Sequence, residues 1–527
     1  MPTFAAIDIG SNSCRLAIAS VQQHKLKTLY EDREVTRLGE SVFETGVISP
    51  EAMANTIKAL KRFHRATQMH VADRVRVVAT SAMRDARNSE AFRAWVKSTT
   101  GWNVEIISGL EEGRLIHLGV VTHEAGARGK CLLIDLGGGS CEVTLSDQGR
   151  IQSMVSLPLG AVRLQQEFLR SDPPSKVDVA RLRKFIDREL RRGERKLGHP
   201  RVGLVIATSG TAAALAEASH SLPAEDVIER APTKQARGKR ARVMRDATLA
   251  TSAAAVRRIA DRLLKMTNAQ RAAMPGIGPR RSEIICGGAQ VYATLLERME
   301  LKGFRYSRLG LRDGMLAQML AETDTRATVH RTMEAERWRG VVHLCKHYGI
   351  DLKKATAHSE QAGQIFDQLE RVHELPEEYR LWLRAAAMMQ GVGKYMNHQG
   401  RYRHTQYIIA NSEIFGFSPQ QRAIVGAIAR YLGKTRPDPM DRIMRTVPLE
   451  EHTHVIRAVV LLRLAQTLNQ DRGTTTAVRV RTRVFPKRVI MELIPSRGGA
   501  ELELWSLKKE APYFREVFRR ELFVEVA

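Results

Sequence analysis

The chain has 527 residues, enough for roughly three or four domains at about 150 residues each. Hydrophobic residues make up 43% of it, so it can bury real cores and a disordered chain is excluded. The net charge of +26 predicts a polyanionic partner or an anionic surface, with a merely solvated basic surface as the alternative. Nucleic acid and inorganic polyphosphate both fit that charge. Aromatic residues make up only 6% and are not interleaved with the basic stretches, so the charge favours attraction to a phosphate backbone without the reading of bases.

Two further kinds of protein are disfavoured by the sequence. No uninterrupted apolar run approaches the ~20 residues that cross a bilayer, and Asp8 interrupts the first apolar segment, so no leader peptide is predicted. The five cysteines are dispersed without a Cys-X-X-Cys pair, which argues for reduced thiols and against a zinc site. We therefore expect a soluble cytoplasmic protein.

Residues 4–18 predict a strand, a tight turn and a second strand, with Asp8 near the end of the first strand. The turn consists of Gly10, Ser11, Asn12 and Ser13. Because glycine has no Cβ, backbone N–H groups in such a turn can come close to an anion. The turn is therefore a candidate phosphate site, and an ordinary hairpin is the alternative.

The same plan recurs at residues 132–144, where Asp135 and Gly137 repeat the spacing of Asp8 and Gly10. The second turn consists of Gly137, Gly138, Gly139 and Ser140, and Glu142 follows it. Carboxylates on both sides of a glycine turn suit a phosphate held with a divalent cation, so Asp135, Glu142 and Asp8 are candidate Mg²⁺ ligands. The repeat predicts two related α/β subdomains that face one cleft. A purely structural role for Asp8 and Asp135 is the alternative.

A third glycine turn, made of Ser209, Gly210 and Thr211, follows an apolar run and opens an alanine-rich helix. The N-terminus of a helix can bind an anion. Residues 230–245 are strongly basic and predict a mobile loop that guides a polyanion, or an insertion without function. Residues 284–289 predict a further strand that ends in glycines.

Several motifs in a fixed order resemble one family. The three turns read DIGSNS, DLGGGS and ATSGT, and the segments between and after them read TSAMRDA (80–86), ISGLEEGR (107–114) and LRDG (311–314). Together they resemble the exopolyphosphatase/guanosine pentaphosphate phosphohydrolase branch of the actin/sugar-kinase/heat-shock ATPase superfamily. The resemblance runs from about residue 4 to the C-terminus, with Asp313 where the family usually has Glu.

The resemblance implies two actin-like (ribonuclease H-like) subdomains at 1–124 and 125–314, and a homodimer. In that family the second acid of the Glu-Glu pair activates the attacking water, which implies that Glu112 is the general base. Neighbouring residues on a helix diverge by about 100°, so Glu111 and Glu112 cannot share one task. Arg84 follows the predicted strand at 75–79, where we expect it to bind an oxyanion; a surface arginine is the alternative.

From about residue 315 helical periodicity dominates, which predicts an all-α domain at 315–473. Its histidines and the segment at 386–394 resemble the metal-dependent HD-type phosphohydrolase fold. Gln390 and Gly391 stand where that fold carries its metal-binding His-Asp pair, so we expect the fold without its hydrolase activity. Basic side chains there could line a polyphosphate track: Lys394, Arg401, Arg403, His404 and Arg430.

Residues 474–527 predict a small α+β domain, with strands at 477–484, 488–494 and 500–506 and a helix at 511–520. The whole chain is therefore expected to be an α/β exopolyphosphatase that uses Mg²⁺, with or without a monovalent cation, and releases orthophosphate from polyphosphate ends. A guanosine pentaphosphate phosphohydrolase is the nearest alternative, because the motifs do not separate the two substrates. A sugar-kinase-like transferase and a non-enzymatic actin-like or nucleic-acid-binding protein fit less well.

Overall fold

The structure is a computed structural model of the chain and describes residues 1–221, 250–433, 435–468, 478–495 and 499–527. The predicted basic segment at 230–245 therefore lies outside the described residues. Contacts between residues divide the chain into two compact units, Met1–Arg331 and Thr332–Ala527. No helix of the described part is long and apolar enough to cross a membrane.

The described strands of the first unit form two sheets. The first sheet contains β1 (Thr3–Ile9), β2 (Ser13–Gln22), β3 (Lys25–Val35), β4 (Arg74–Ala79) and β5 (Val104–Ile106), in the order β3-β2-β1-β4-β5. The second contains β6 (Cys131–Leu136), β7 (Cys141–Asp147), β8 (Arg150–Leu157), β9 (Leu204–Thr208), β10 (Ala250–Ser252) and β11 (Gly303–Tyr306), in the order β10-β11-β9-β6-β7-β8. In each sheet the leading strand, β1 or β6, pairs antiparallel with the next strand and parallel with a later one. The same plan thus occurs twice.

Helices of the first unit connect and cover these strands. They are α1 (Leu38–Thr45), α2 (Pro50–Met69), α3 (Ser81–Asp85), α4 (Ser89–Thr100), α5 (Gly109–His123), α6 (Ala161–Phe168), α7 (Lys176–Leu197), α8 (Ser209–Ser219), α9 (Ala253–Leu263), α10 (Asn268–Ala273), α11 (Ile285–Arg298) and α12 (Leu311–Thr323), with a 3₁₀ turn at Ala125–Arg128. The side chain of Ser108 accepts a hydrogen bond from the amide of Glu111 and so caps α5. This cap fixes the start of α5 and so places Glu111 and Glu112 in its first turn.

The strand predicted at residues 284–289 is wrong, because this segment begins α11. Its two glycines serve close helix packing: a Cβ on Gly287 would lie 2.8 Å from the Cβ of Leu164, and one on Gly288 would lie 2.8 Å from the Cγ2 of Thr211. A short apolar run followed by glycines has no periodicity that separates a buried strand from a buried helix.

The helices from residue 328 onward are α13 (Thr328–His347), α14 (Leu352–Gln368), α15 (Glu370–His373), α16 (Glu378–Met389), α17 (Arg401–Asn411), α18 (Pro419–Arg430), α19 (His452–Thr467) and α20 (Glu501–Phe518). Three 3₁₀ turns lie at Val392–Tyr395, Met444–Thr446 and Leu449–Glu451. A small sheet in the order β12-β13-β14 contains β12 (Val478–Val484), β13 (Arg488–Pro495) and β14 (Glu521–Val526). The predicted α/β class, with a helical domain and a small α+β domain after it, is confirmed.

At the C-terminus the strand predicted at residues 500–506 is wrong, because α20 begins at Glu501. The buried side chains of Glu503, Ser506 and Leu507 recur at helical spacing, not at the spacing of two that a half-buried strand shows. The third strand of the sheet is instead β14, which follows the helix.

Candidate active site

The glycine turn after β6, residues 137–139, is held by the backbone of α6. The carbonyl of Gly137 accepts a 3.0 Å hydrogen bond from the amide of Ala161, and the carbonyl of Gly138 accepts a 2.8 Å bond from that of Val162. Within the described residues, the amides of the second and third glycines donate to no protein acceptor. The turn therefore offers N–H groups to a ligand, as an anion site requires.

The turn after β1 is built in the same way. The carbonyl of Ser11 accepts a 2.7 Å hydrogen bond from the amide of Gly39, and the carbonyl of Asn12 accepts a 3.1 Å bond from that of Arg37. The two turns touch, since a Cβ on Gly138 would lie only 3.2 Å from the amide nitrogen of Asn12. The structure thus brings the first two predicted phosphate turns together.

Most hydroxyl groups of the predicted phosphate sites bind protein groups. The Oγ of Ser11 accepts a 3.2 Å hydrogen bond from the amide of Ala82, and the Oγ of Ser209 donates a 2.7 Å bond to the carbonyl of Leu136. Ser13 is buried at the start of β2. Ser209 therefore uses its hydroxyl proton within the protein, whereas Ser11 accepts a hydrogen bond and keeps its own O–H for another acceptor.

The third predicted turn, at the start of α8, faces a guanidinium group. A Cβ on Gly210 would lie 1.5 Å from the Nη2 of Arg281, so only glycine leaves room for that side chain where it is. Thr211 is buried beneath the turn, against Gly288. An arginine that sequence reasoning overlooked therefore occupies the mouth of this turn.

Three predicted site residues form an acidic cluster. Glu112, Asp135 and Glu142 each offer one carboxylate oxygen, and these atoms lie within 4.8 Å of one another. Glu112 thus stands with two of the predicted metal ligands, while Asp8 lies outside this set. Thr208 donates a short hydrogen bond to Asp135.

Burial shifts the protonation of these acids. It raises the pKa of Glu112 to about 7 and that of Asp8 to about 6, in both cases against the opposing attraction of neighbouring arginines. It also raises the pKa of Asp135, and raises the pKa of Glu142 well above its ordinary value. Among the described residues, Asp8 Oδ1 and Glu142 Oε2 are buried without a hydrogen-bond partner. Buried carboxylate oxygens left in this state fit a bound cation.

Arg84 links the acidic cluster to the second glycine turn. Its Nη1 donates a 2.8 Å hydrogen bond to the carbonyl of Ile107 and lies 3.1 Å from Glu112 Oε2. Its Nη2 lies 3.4 Å from the Oγ of Ser140. Glu111 points elsewhere and binds the buried guanidinium of Arg114 at 2.7 Å. The two neighbouring acids therefore have separate partners, as the helical geometry predicts.

A row of charges across the first sheet was missed by sequence reasoning. Asp8 on β1 pairs in register with Arg15 on β2, and Arg15 pairs with Arg33 on β3. Burial and neighbouring arginines lower the pKa of Arg33 and of Arg281 to about 10. Within the described residues neither of them forms an ion pair. Like charges opposite each other destabilise a sheet unless an anion compensates them.

The sequence carries only a weak signal for these arginines. Arg15 and Arg33 lie on strands with mixed patterning, and Arg281 lies in a loop before α11, far away in the chain. Strand pairing places Arg15 beside Arg33, and the tertiary fold brings the loop of Arg281 close to both.

In the second unit, three of the five predicted track residues line one groove of about 750 Å³: Arg401, Arg403 and Arg430. None of the three forms an ion pair within the described part of the chain. Lys394 and His404 do not line this groove. Arg463, which also lines it, is bound by Glu510 at 2.8 Å. The carboxylate of Glu510 pairs with Arg463 and leaves the positive charges of the other three arginines of the groove without compensation by it.

Gln390, at the position where the resemblance predicts a degenerate metal pair, makes a short hydrogen bond from its Nε2 to the Nδ1 of His358. One of the two imidazole nitrogens of His358 is thus engaged by an amide. The likeness of this helical domain to the HD-type fold stays a prediction.

The chain is similar to the proteins of one known family. The Ppx/GppA phosphatase family matches residues 17–323, and domain III of the Ppx/GppA phosphatases matches residues 337–510. The crystal structure of the Aquifex aeolicus member of the Ppx/GppA protein family is 29% identical, with a TM-score of 0.50, over 61% of this chain and 99% of that one. An exopolyphosphatase from Cytophaga hutchinsonii is 25% identical, with a TM-score of 0.53, over 61% of this chain and 98% of that one.

The first match spans more than half of the chain, and it covers the second glycine turn, Arg84 and the acidic cluster. The predicted family is confirmed, and with it the actin-like fold of the N-terminal part. The chain belongs to the Ppx/GppA phosphatase family.

Proposed function

We propose that the chain is an exopolyphosphatase, which hydrolyses the terminal phosphoanhydride bonds of inorganic polyphosphate processively and releases orthophosphate. The observation that carries the proposal is the pair formed by Arg84 and Glu112 beside the turn at 137–139, whose second and third amides have no acceptor within the described residues. A base for water, a cation for the phosphoryl oxygens and fixed backbone donors are the groups that phosphoryl transfer to water needs.

In the proposed reaction the backbone amides of both turns bind the terminal phosphoryl group, and Arg84 contacts its oxygens. Glu112 accepts a proton from water while the water oxygen forms a bond to phosphorus and the bridging P–O bond breaks. The shortened chain leaves with the electron pair of that bond, and orthophosphate is the second product. A base whose pKa lies at about 7 suits catalysis near neutral pH.

Asp135 and Glu142, with Asp8, are the residues that would hold Mg²⁺. The buried oxygens of Asp8 and Glu142 that lack partners in the described structure support this assignment, because a buried charge needs compensation. When bound, the ion offsets the charge of the anion and polarises the phosphorus. A monovalent cation next to it and a homodimeric assembly stay predictions.

Arginines without carboxylate partners in the described chain support a polymeric substrate. Arg33 and Arg281 belong to the first unit, and the groove of the second unit adds Arg401, Arg403 and Arg430. Guanosine pentaphosphate is the second candidate, because its terminal phosphate presents the same chemistry to the turns. A polymer of phosphates carries enough charges to engage many guanidinium groups, which a single nucleotide does not, and this favours the polymer.

Phosphate release from long-chain polyphosphate, guanosine pentaphosphate and ATP, measured side by side, tests the proposal. We expect the highest kcat/KM with polyphosphate, and almost no release by the Glu112→Gln variant with any of them. Release from the nucleotide alone would favour the second candidate. No release from any of the three would contradict the function itself.

A further inference from the structure

Arg163, on α6, contacts both halves of the first unit. Its Nε donates a 2.9 Å hydrogen bond to the carbonyl of Gly139, the last glycine of the second turn. Its Nη2 lies 3.3 Å from the Oγ of Ser81, the first residue of α3, and makes a short ion pair with Asp85, the last residue of α3. Because α3 carries Arg84, this single side chain ties the glycine turn to the helix that holds the anion-binding arginine.

The guanidinium of Arg163 is also held from its other sides. It lies over the ring of Phe43 on α1, 4.1 Å from the centroid, and its Nη1 lies 3.5 Å from Glu167. Only 16% of the side chain is exposed, so its removal would leave partly buried acceptors without a donor. A Cβ on Gly139 would lie 2.4 Å from the Oγ of Ser81, which shows how closely the turn and α3 pack.

All three carbonyl groups of the turn are bound by α6. Backbone amides of the helix bind the first two, and the side chain of Arg163 binds the third. We propose that Arg163 is a positioning residue that fixes the turn amides relative to the guanidinium of Arg84. This rests on the proposed phosphohydrolase function, in which both groups must act on one phosphoryl group. Misplacement of such groups by about 1 Å can cost about 100-fold in rate.

The first test is the steady-state kinetics of phosphate release from polyphosphate. We expect Arg163→Met to lower kcat at least about 10-fold while KM changes less than about threefold, because the binding groups remain but their alignment is loosened. Arg163→Lys keeps the charge but cannot reach all partners, so it should recover only part of the loss. Asp85→Asn removes the negative charge of the ion pair on α3 and should also lower kcat.

Arg183 on α7 provides the matched control. Its Nε donates a 3.0 Å hydrogen bond to the side-chain oxygen of Gln290, and its Nη2 donates a 2.7 Å bond to Asp261. Like Arg163, it therefore joins a carbonyl oxygen to an aspartate. Arg183→Met should leave kcat within about twofold of the wild type. Thermal unfolding of every variant shows whether the protein is folded at the assay temperature.

A double-mutant cycle with Arg84→Lys separates positioning from a loss of stability. If Arg163 acts through Arg84, Arg163→Met should lower kcat clearly less in the Arg84→Lys background than in the wild type. The proposal would be overturned if Arg163→Met lowered kcat by the same factor in both backgrounds, or if folded Arg163→Met had the kcat of the wild type. Both outcomes presuppose a wild type that releases phosphate. A wild type that releases no phosphate would instead overturn the proposed function, and this proposal with it.

Discussion

Arg84 and Glu112 are held 3.1 Å apart in the cleft, so the proposed anion-binding group and the proposed base pair with each other in the free protein. A phosphoryl group that binds Arg84 competes for this guanidinium. Glu112 is then left with less compensation for its charge, which makes it a stronger acceptor for the proton of a water molecule.

The pair leads to the first prediction. Glu112→Gln should lower turnover at least about 100-fold, in the range that a general base contributes, while polyphosphate still binds. Glu111→Gln is the matched control, because Glu111 holds Arg114 and does not contact Arg84. Turnover and equilibrium binding of each variant check this. If Glu112→Gln keeps near-normal turnover while Glu111→Gln loses it, Glu112 is not the base.

A second prediction concerns the third turn. Gly210→Ala should displace the guanidinium of Arg281, which is the flexible end of its side chain, and should not unfold the protein. We expect a higher KM for polyphosphate in Gly210→Ala and in Arg281→Met, with little further change in the double variant, since both changes remove the same contact. If the two effects multiply in the double variant, Gly210 and Arg281 act separately.

The third prediction concerns pH and metal. Asp8 and Glu112 have pKa values of about 6 and about 7 in the folded protein, above the 3.8 and 4.5 of the free groups, so the folded state binds their protons more tightly. Their contribution to the free energy of unfolding is present below about pH 4 and is lost as the pH rises through about 6 to 7. A divalent cation would compensate the ionised acids.

MgCl₂ should therefore raise the Tm more at about pH 8 than at about pH 5, relative to NaCl of equal ionic strength. Thermal unfolding of the wild type measures this, and Asp135→Asn with Glu142→Gln serves as the control without the proposed ligands. An equal rise at both pH values, or an unchanged rise in the control, would argue against Mg²⁺ at these carboxylates.

A fourth prediction uses salt to separate polymer from nucleotide. Each contact between a phosphate and a cationic side chain releases counterions, so polyphosphate affinity should fall steeply with salt, by analogy with nucleic acids. Neutralising Arg401, Arg403 and Arg430 together should weaken long-chain binding and flatten its salt slope. Hydrolysis of short substrates should stay nearly intact. Equal losses on long and short substrates would mean that these arginines are structural.

The fifth prediction is that the helical domain performs no metal chemistry. The residual phosphate release of the full chain with Glu112→Gln should be the same with and without a further His358→Ala change, in Mg²⁺, Mn²⁺ or Ni²⁺, because Gln390 binds His358 where a metal pair would be needed. Residual release that disappears in a further His358→Ala variant would locate a second active site in this domain.

Local patterns predicted the parts of the site that lie within one segment. The three turns were visible because each combines an apolar strand with glycines and polar residues in sequence, whereas the role expected of Glu112 came from the resemblance to a family. The charge row of Asp8, Arg15 and Arg33 was not visible, because it exists only across paired strands. The glycines of α11 were misread as the end of a strand, although their purpose is contact with Thr211 and Leu164.

The turn after β1 and the turn after β6 belong to different halves of the first unit, and each is held by backbone hydrogen bonds from the segment that follows it in its own half. Neither half alone can therefore surround a phosphoryl group. A rotation of one half against the other would separate the two sets of amides, and it would have to break the ion pair between Arg163 and Asp85 and the contact between Arg84 and Ser140. Departure of orthophosphate by such a rotation would therefore be opposed by these side chains, while each turn would keep its own backbone hydrogen bonds.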